Sequence, residues 1–334
     1  MNQIAVCIGN TFIYWSSVII FLGIAACFAL TYSLYTSHGG RGSALWLLLP
    51  LALLFSVLFS RLIHWYCHME QYAGFWRAMT DYSQGDYCLH GAILGTMLAA
   101  LLVKKLGLTQ NLARLFDCLA PGAALCIAFI RLSALFNSSC RSKIVVTNPL
   151  FQRLPIASGI PTAAGGTEYR FATFFVQFLV MLIVFWMLLR FFFKRRRYPM
   201  KNDYPRDGNV GLMFLLYYNA VELVLDSTRY DSSFLPINGF VSITQILCAV
   251  FIVGIFVFYS IRSVKANGRR AYHWFLWVGF FLTVAGTGVL EYLVQRHGNW
   301  YLFCYGSMSV VVFLMAFIVN RMYHTVCADI YERA

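Results

Sequence analysis

Charge is what this sequence has least of. Only 12% of its 334 residues are Asp, Glu, Lys or Arg, where a soluble domain carries about 25%. Acids are scarcest, at 13 against 26 Lys+Arg. With 60% hydrophobic residues and a mean hydropathy of +0.67, the chain cannot cover itself with polar surface, which excludes a water-soluble globule and a disordered chain. None of the ten cysteines forms a C-x-x-C pair, and most lie inside apolar runs (Cys27, Cys118, Cys126, Cys248, Cys304). They read as small hydrophobes rather than a disulfide scaffold. Lacking G-x-S-x-G, a Walker motif, H-E-x-x-H and a dinucleotide fingerprint, the sequence gives no sign of a nucleotide-driven pump or a cofactor. Its opening, MNQIAVCIGN, has no Lys or Arg, so it lacks the basic start of a cleavable signal peptide.

What is present is a series of apolar runs near twenty residues long, the length that spans a bilayer. Nine are expected, at about 12–35, 44–63, 88–104, 112–136, 171–193, 210–226, 240–261, 273–294 and 301–322. The fold class is an all-α polytopic membrane protein. The basic residues alternate between its connections: with the N-terminus outside, 17 Lys and Arg fall on inside segments, 8 on outside ones, and Arg131 within a span. The cluster Lys194-Arg195-Arg196-Arg197 anchors the fifth span inside, giving an N-out, C-in topology. The net charge of +13 is thereby explained by topology and anionic headgroups rather than by nucleic acid. Of the outside segments, 64–87 is rich in Trp and Tyr and suits the membrane interface, and 138–170, rich in Ser, Thr, Gly and Pro, is expected to be a loop.

Ionisable residues within spans cost roughly 2.5–3.5 kcal/mol each on insertion scales, so each asks for a partner or a task. His90 opens the third span in His90-Gly91-Ala92-Ile93-Leu94-Gly95. Gly91 and Gly95 share a face, which admits either a packed helix or a lipid headgroup. Arg131 closes the fourth span, either reaching for the interface or holding a phosphate with its bidentate fork. Glu222, Asp226 and Arg229 share a face of the sixth span, as an ion-pair stripe or as acids orienting an arginine. His64 and His68 with Glu70 have metal-like spacing but no clear third ligand, and no metal is assigned.

The string His90-Gly-Ala-Ile-Leu-Gly95, then Asp117-Cys-Leu-Ala-Pro121, then Arg131 through Asn137, resembles the bacterial prolipoprotein diacylglyceryl transferase family, with its H-G-G-L-I-G, D-x-x-A-P and G-R-x-G-N-F-x-N strings. Ser60-Arg61-Leu62 looks like the family's A-R-L, Asp226-Ser-Thr-Arg229-Tyr-Asp231 like its E-F-F-R-x-P-D, and Ile8-Gly9 with Trp15 like its opening string. The resemblance covers about residues 1–260. It implies a seven-helix transferase-like membrane domain over 1–264, with 265–334 as an added C-terminal pair of spans. Departures from the pattern are Ser16 for a tyrosine, Ile130 for a glycine, Ala134 for an asparagine and Glu222 for an arginine. The family's H-P-x-Q-L-Y-E string is not recognisable in Gly166–Arg170.

The family reaction moves a diacylglyceryl group from phosphatidylglycerol to the lipobox cysteine of a prolipoprotein signal peptide in the bacterial plasma (inner) membrane, releasing glycerol phosphate. The resemblance implies His90, Arg131 and Arg229 as catalytic residues. It implies Gly91, Gly95, Asn137, Asp226 and Arg61 as substrate-binding, with no cofactor. The departures leave a second reading open, a non-catalytic membrane protein that binds anionic lipid through the same arginines.

Overall fold

The computed structural model describes residues 3–8, 11–72, 74–80, 87–137, 139–161, 166–197, 207–235, 238–297 and 300–327. An antiparallel hairpin, β1 (Ile4–Ile8) with β2 (Thr11–Tyr14), leads into α1 (Trp15–Ser37) and α2 (Gly42–Cys67). A short α3 (Phe75–Thr80) precedes α4 (Leu89–Lys105) and α5 (Leu112–Ser133). Next come a one-turn α6 (Pro149–Gln152), the hairpin of β3 (Ala157–Pro161) and β4 (Thr167–Phe171), and α7 (Thr173–Arg197). Then α8 (Asn209–Thr228) leads to the hairpin of β5 (Phe234–Leu235) and β6 (Asn238–Ser242), followed by α9 (Ile243–Asn267), α10 (Ala271–His297) and α11 (Tyr301–Cys327).

Among the described residues, eight helices are long and apolar enough to cross a membrane, where nine were expected. The difference is the expected third span. It folds as α4, but with 17 residues, about 26 Å at the α-helical rise, because Leu106 and Gly107 end it, the glycine at φ 75°. One other expectation is corrected, that of a loop at 138–170. Of the interface stretch 64–87, the first residues continue α2 to Cys67, and 81–86 lie outside the described residues. The loop expected at 138–170 contains α6 and the β3–β4 hairpin; in β4, Thr167, Tyr169 and Phe171 alternate with Glu168 and Arg170, the two-residue period of a strand.

Helix ends are set by local chemistry. Asn111 Oδ1 accepts the Arg114 backbone N–H at the start of α5, and Ser242 and Gln245 form a reciprocal capping box at the start of α9. The most extensive seam joins α2 and α4, where Gly91 and Gly95 lie directly on the α2 backbone: a Cβ at either would come within 2.5 Å of Phe59 O or 2.3 Å of Phe55 O. Ser56 Oγ and Ser60 Oγ cross this seam to the carbonyls of Ala92 and Cys88, at 3.0 and 2.7 Å.

Asp117 shows how one buried acid places a whole helix. Its carboxylate accepts the backbone N–H groups of Gly208 (2.7 Å) and Gly211 (2.9 Å), at the N-terminus of α8, where the helix dipole favours negative charge. Asp117→Ala leaves two buried backbone donors bare, and a loss of about 2–3 kcal/mol in detergent is expected. Thermal unfolding of the purified protein would check it. Beside this contact, α1, α2, α4, α5 and α8 enclose an apolar cavity of about 750 Å³, reaching from Lys104 and Asn111 at one end to Leu89 and Ile130 at the other.

Candidate active site

Leu89 and Ile130, which line one end of the cavity, immediately precede His90 and Arg131 in sequence, and Arg131 belongs to a buried group of charges near that end of the bundle. Arg131, in the last turn of α5, is 6% exposed. Its Nη2 donates to Glu222 Oε1 at 2.7 Å and its Nη1 to Cys140 Sγ at 2.9 Å. Its Nε is buried without a hydrogen-bond partner. Arg229 follows the last residue of α8 in an extended conformation and converges on the same carboxylate. Its Nη1 lies 3.5 Å from Glu222 Oε1 and 3.6 Å from Asp226 Oδ1, and its Nε donates to Asp231 Oδ1 at 3.0 Å. The other Glu222 oxygen accepts from Gln177 Nε2 on α7.

Backbone pairing brings these groups together across long stretches of sequence. Lys143 N–H donates to Thr228 O (2.9 Å) and Tyr230 N–H to Arg141 O (2.8 Å). The turn before this pairing is shaped by Asn137, whose Oδ1 accepts the Ser139 N–H at 3.0 Å. The turn places Cys140 at φ 55°, an uncommon conformation for a residue with a side chain. Its N–H is held by Asp231 Oδ2 at 2.9 Å. Asp231 therefore touches both Arg229 and the Cys140 turn; burial pushes its carboxyl up, but the Arg229 guanidinium outweighs that and holds it below the usual carboxylate range. Asp226 accepts from Ser242 Oγ, fastening the start of α9 to the cluster.

His90 is 1% exposed. Its Nε2 lies 2.9 Å from Asn219 Oδ1 and 3.4 Å from Cys248 Sγ. Asn219 and Glu222 are three residues apart on α8 and face the same way, so His90 borders the arginine group through α8.

A family model of prolipoprotein diacylglyceryl transferase matches residues 3–261. The chain belongs to that family. It is similar to the phosphatidylglycerol–prolipoprotein diacylglyceryl transferase of Acaryochloris marina, 30% identical over 273 residues that make up 79% of this chain and 93% of that one. The enzymes of that name from Gloeobacter violaceus (28% identical, 67% of this chain and 80% of that one) and Clostridium novyi (24%, 76% and 93%) are similar as well. Helices α10 and α11 lie beyond the matched residues.

Within this transferase-family frame, the expected site residues do not all meet. Arg131, Arg229 and Asp226 form one cluster, with Asn137 in its supporting turn. Gly91 and Gly95 face the α2 backbone, so the close approach they permit is that of a helix. Arg61 is 2% exposed; its Nη2 donates to Ala78 O of α3, and its guanidinium lies 5.5 Å from the Tyr87 ring centre. Its contacts tie α3 to the end of α2. His64 and His68 stack at 4.2 Å at that same end.

Sequence reading missed Gln177, Asn219 and Cys140. Gln177 did carry a signal, being the lone polar residue between Phe174 and Leu189, which is costly in a span without a partner. Cys140 carried none; its Sγ meets Arg131 Nη1 at 2.9 Å.

Proposed function

We propose that this protein transfers a diacylglyceryl group from phosphatidylglycerol to the lipobox cysteine thiol of prolipoproteins, as a multi-pass enzyme of the bacterial plasma membrane with an N-out, C-in topology. In this reading residues 1–264 are the transferase-like domain and 265–334 an added helical pair. One observation carries it: two arginines, Arg131 buried in the last turn of α5 and Arg229 half-buried just past the end of α8, converge on one carboxylate, the first with an unpartnered Nε donor.

The apolar cavity has room for an acyl chain, and in this reading the phosphate is held by the two guanidiniums. The thiol sulfur attacks the glyceryl methylene, the C–O bond to phosphate breaks, and glycerol phosphate departs with the bonding electrons. Arg131 and Arg229 stabilise the charge that grows on that phosphate, fixed in place before the reaction in a medium where such contacts are strong. Asp226 orients Arg229, and His90 borders the headgroup. Asn137 shapes the turn at the clamp. Gly91 and Gly95 set the α2–α4 seam that carries His90, and Arg61 holds the outer segment beside it.

A synthetic lipobox-cysteine peptide, incubated with detergent-purified protein and phosphatidylglycerol and followed by mass spectrometry, is expected to gain the mass of a diacylglyceryl group. Glu222 favours a second reading, because it already occupies both arginines. On that reading the protein binds anionic lipid without chemistry, and no mass gain from a folded, lipid-binding sample would select it.

A further inference from the structure

The carboxylate of Glu222 lies where an incoming phosphate has to go. Its Oε1 is 2.7 Å from Arg131 Nη2 and 3.5 Å from Arg229 Nη1, and a phosphate oxygen bridging the two guanidiniums needs the same position. Two anions in that space would repel strongly at low dielectric. The groups facing Glu222 are Arg131 from α5, Gln177 from α7, Asp226, Tyr218 and Arg229 from α8 and its end, His90 and Cys88 from α4 and the residue before it, and Cys248 from α9. Asp231 and Cys140 stand behind the arginines. Among these described residues three acids already face two arginines, so a phosphate that reaches the arginines has to displace a carboxylate's charge from them.

Gln177 shows where that charge can go. Its Nε2 donates to one Glu222 oxygen, while its Oε1 is buried with no hydrogen-bond partner. A buried acceptor without a donor is unfavourable by about 1–3 kcal/mol. A protonated Glu222 supplies the missing donor, closing a two-bond acid–amide pair with the same glutamine.

We infer that Glu222 is an internal stand-in for the lipid phosphate and, once displaced by it, the base that takes the acceptor thiol's proton. This rests on the transferase reading above. Headgroup binding moves the arginines from Glu222 to phosphate. The thiol then gives its proton to Glu222, and the thiolate forms its bond to the glyceryl methylene as the C–O bond breaks. The proton on Glu222 passes to the departing glycerol phosphate. The carboxylate, charged again, returns to the arginines and expels the product. His90, whose Nε2 is engaged with Asn219, is not the proton acceptor in this sequence.

The test uses the full-length protein in detergent, with Glu222→Gln and Glu222→Asp. Binding of dioctanoyl phosphatidylglycerol is followed by tryptophan fluorescence, and transfer by the mass gain of the lipobox peptide. Glu222→Gln removes the competing charge and the base together. It is expected to bind the lipid at least 10-fold more tightly and to transfer at least 100-fold more slowly, while Glu222→Asp retains measurable transfer. Structural damage would lower binding and transfer together, so the opposed directions identify the role. Unchanged or weaker binding by Glu222→Gln overturns the stand-in, and undiminished transfer overturns the base. If the wild type transfers nothing, the transferase reading fails and the base with it; tighter binding by Glu222→Gln then still upholds the stand-in.

Discussion

Arg131→Ala is expected to abolish transfer to the lipobox peptide, by about 10²–10³-fold or more, the scale at which loss of one preorganised charge-stabilising donor is felt. The same change strips Glu222 of its nearer guanidinium, at 2.7 Å, leaving the one at 3.5 Å and Gln177. Breaking a buried ion pair from one side costs about 3–5 kcal/mol, so the single variant loses thermal stability as well. The double variant Arg131→Ala, Glu222→Gln removes the stranded charge. It is expected to recover most of the unfolding temperature in detergent and none of the transfer. The double variant therefore reports on stability alone, since Glu222→Gln by itself is expected to slow transfer. The clamp is tested by Arg131→Ala assayed well below its unfolding temperature, where transfer above a tenth of the wild-type rate would remove it.

The helices of this protein are legible in its sequence because a bilayer demands long apolar runs, and little else meets that demand. The expected spans at 112–136 and 301–322 correspond to Leu112–Ser133 and Tyr301–Cys327. Connections obey weaker rules. The pairing of 141–143 with 228–230 joins segments about 90 residues apart, and no local pattern encodes it. The site divides the same way. Glu222 and Asp226 are neighbours on one helix face, as their spacing predicts, while Arg229 reaches both from the extended residue just past α8. That Arg131 meets Glu222 is a matter of helix packing. The two readings of Gly91 and Gly95 could not be separated in sequence, since a helix and a headgroup ask the same thing of a glycine, a bare Cα.

Helices beyond the family match also reach the site. Tyr305 of α11 donates its hydroxyl to Ser227 O at 3.0 Å, two residues before Arg229. Gln295 of α10 accepts from Lys143 Nζ at 3.5 Å. These bonds brace both segments whose pairing positions Arg229 and Cys140, so the added pair packs against the functional end of the bundle rather than beside it.

Gly95→Ala is expected to be the most damaging small substitution in the chain. The new methyl would sit 2.3 Å from Phe55 O and 2.4 Å from Phe55 C, and backbone atoms in a helix cannot turn aside as a side chain can. The two helices must separate by about 1 Å or more, the shortfall from ordinary van der Waals contact. Separation stretches the bonds from Ser56 Oγ to Ala92 O and from Ser60 Oγ to Cys88 O, and it carries His90 with α4. A loss of about 3 kcal/mol is expected, a large part of the 5–15 kcal/mol typical of folded proteins. The double variant Gly91→Ala, Gly95→Ala should yield no monodisperse protein. Gly254→Ala is the matched control: it lies in the middle of α9 with nothing within 4 Å of an added Cβ, where alanine favours the helix. Thermal unfolding of the three variants in one detergent decides the matter. If Gly95→Ala melts with Gly254→Ala, the glycines do not set the α2–α4 distance, and a lipid headgroup becomes the better reason for their bare Cα atoms.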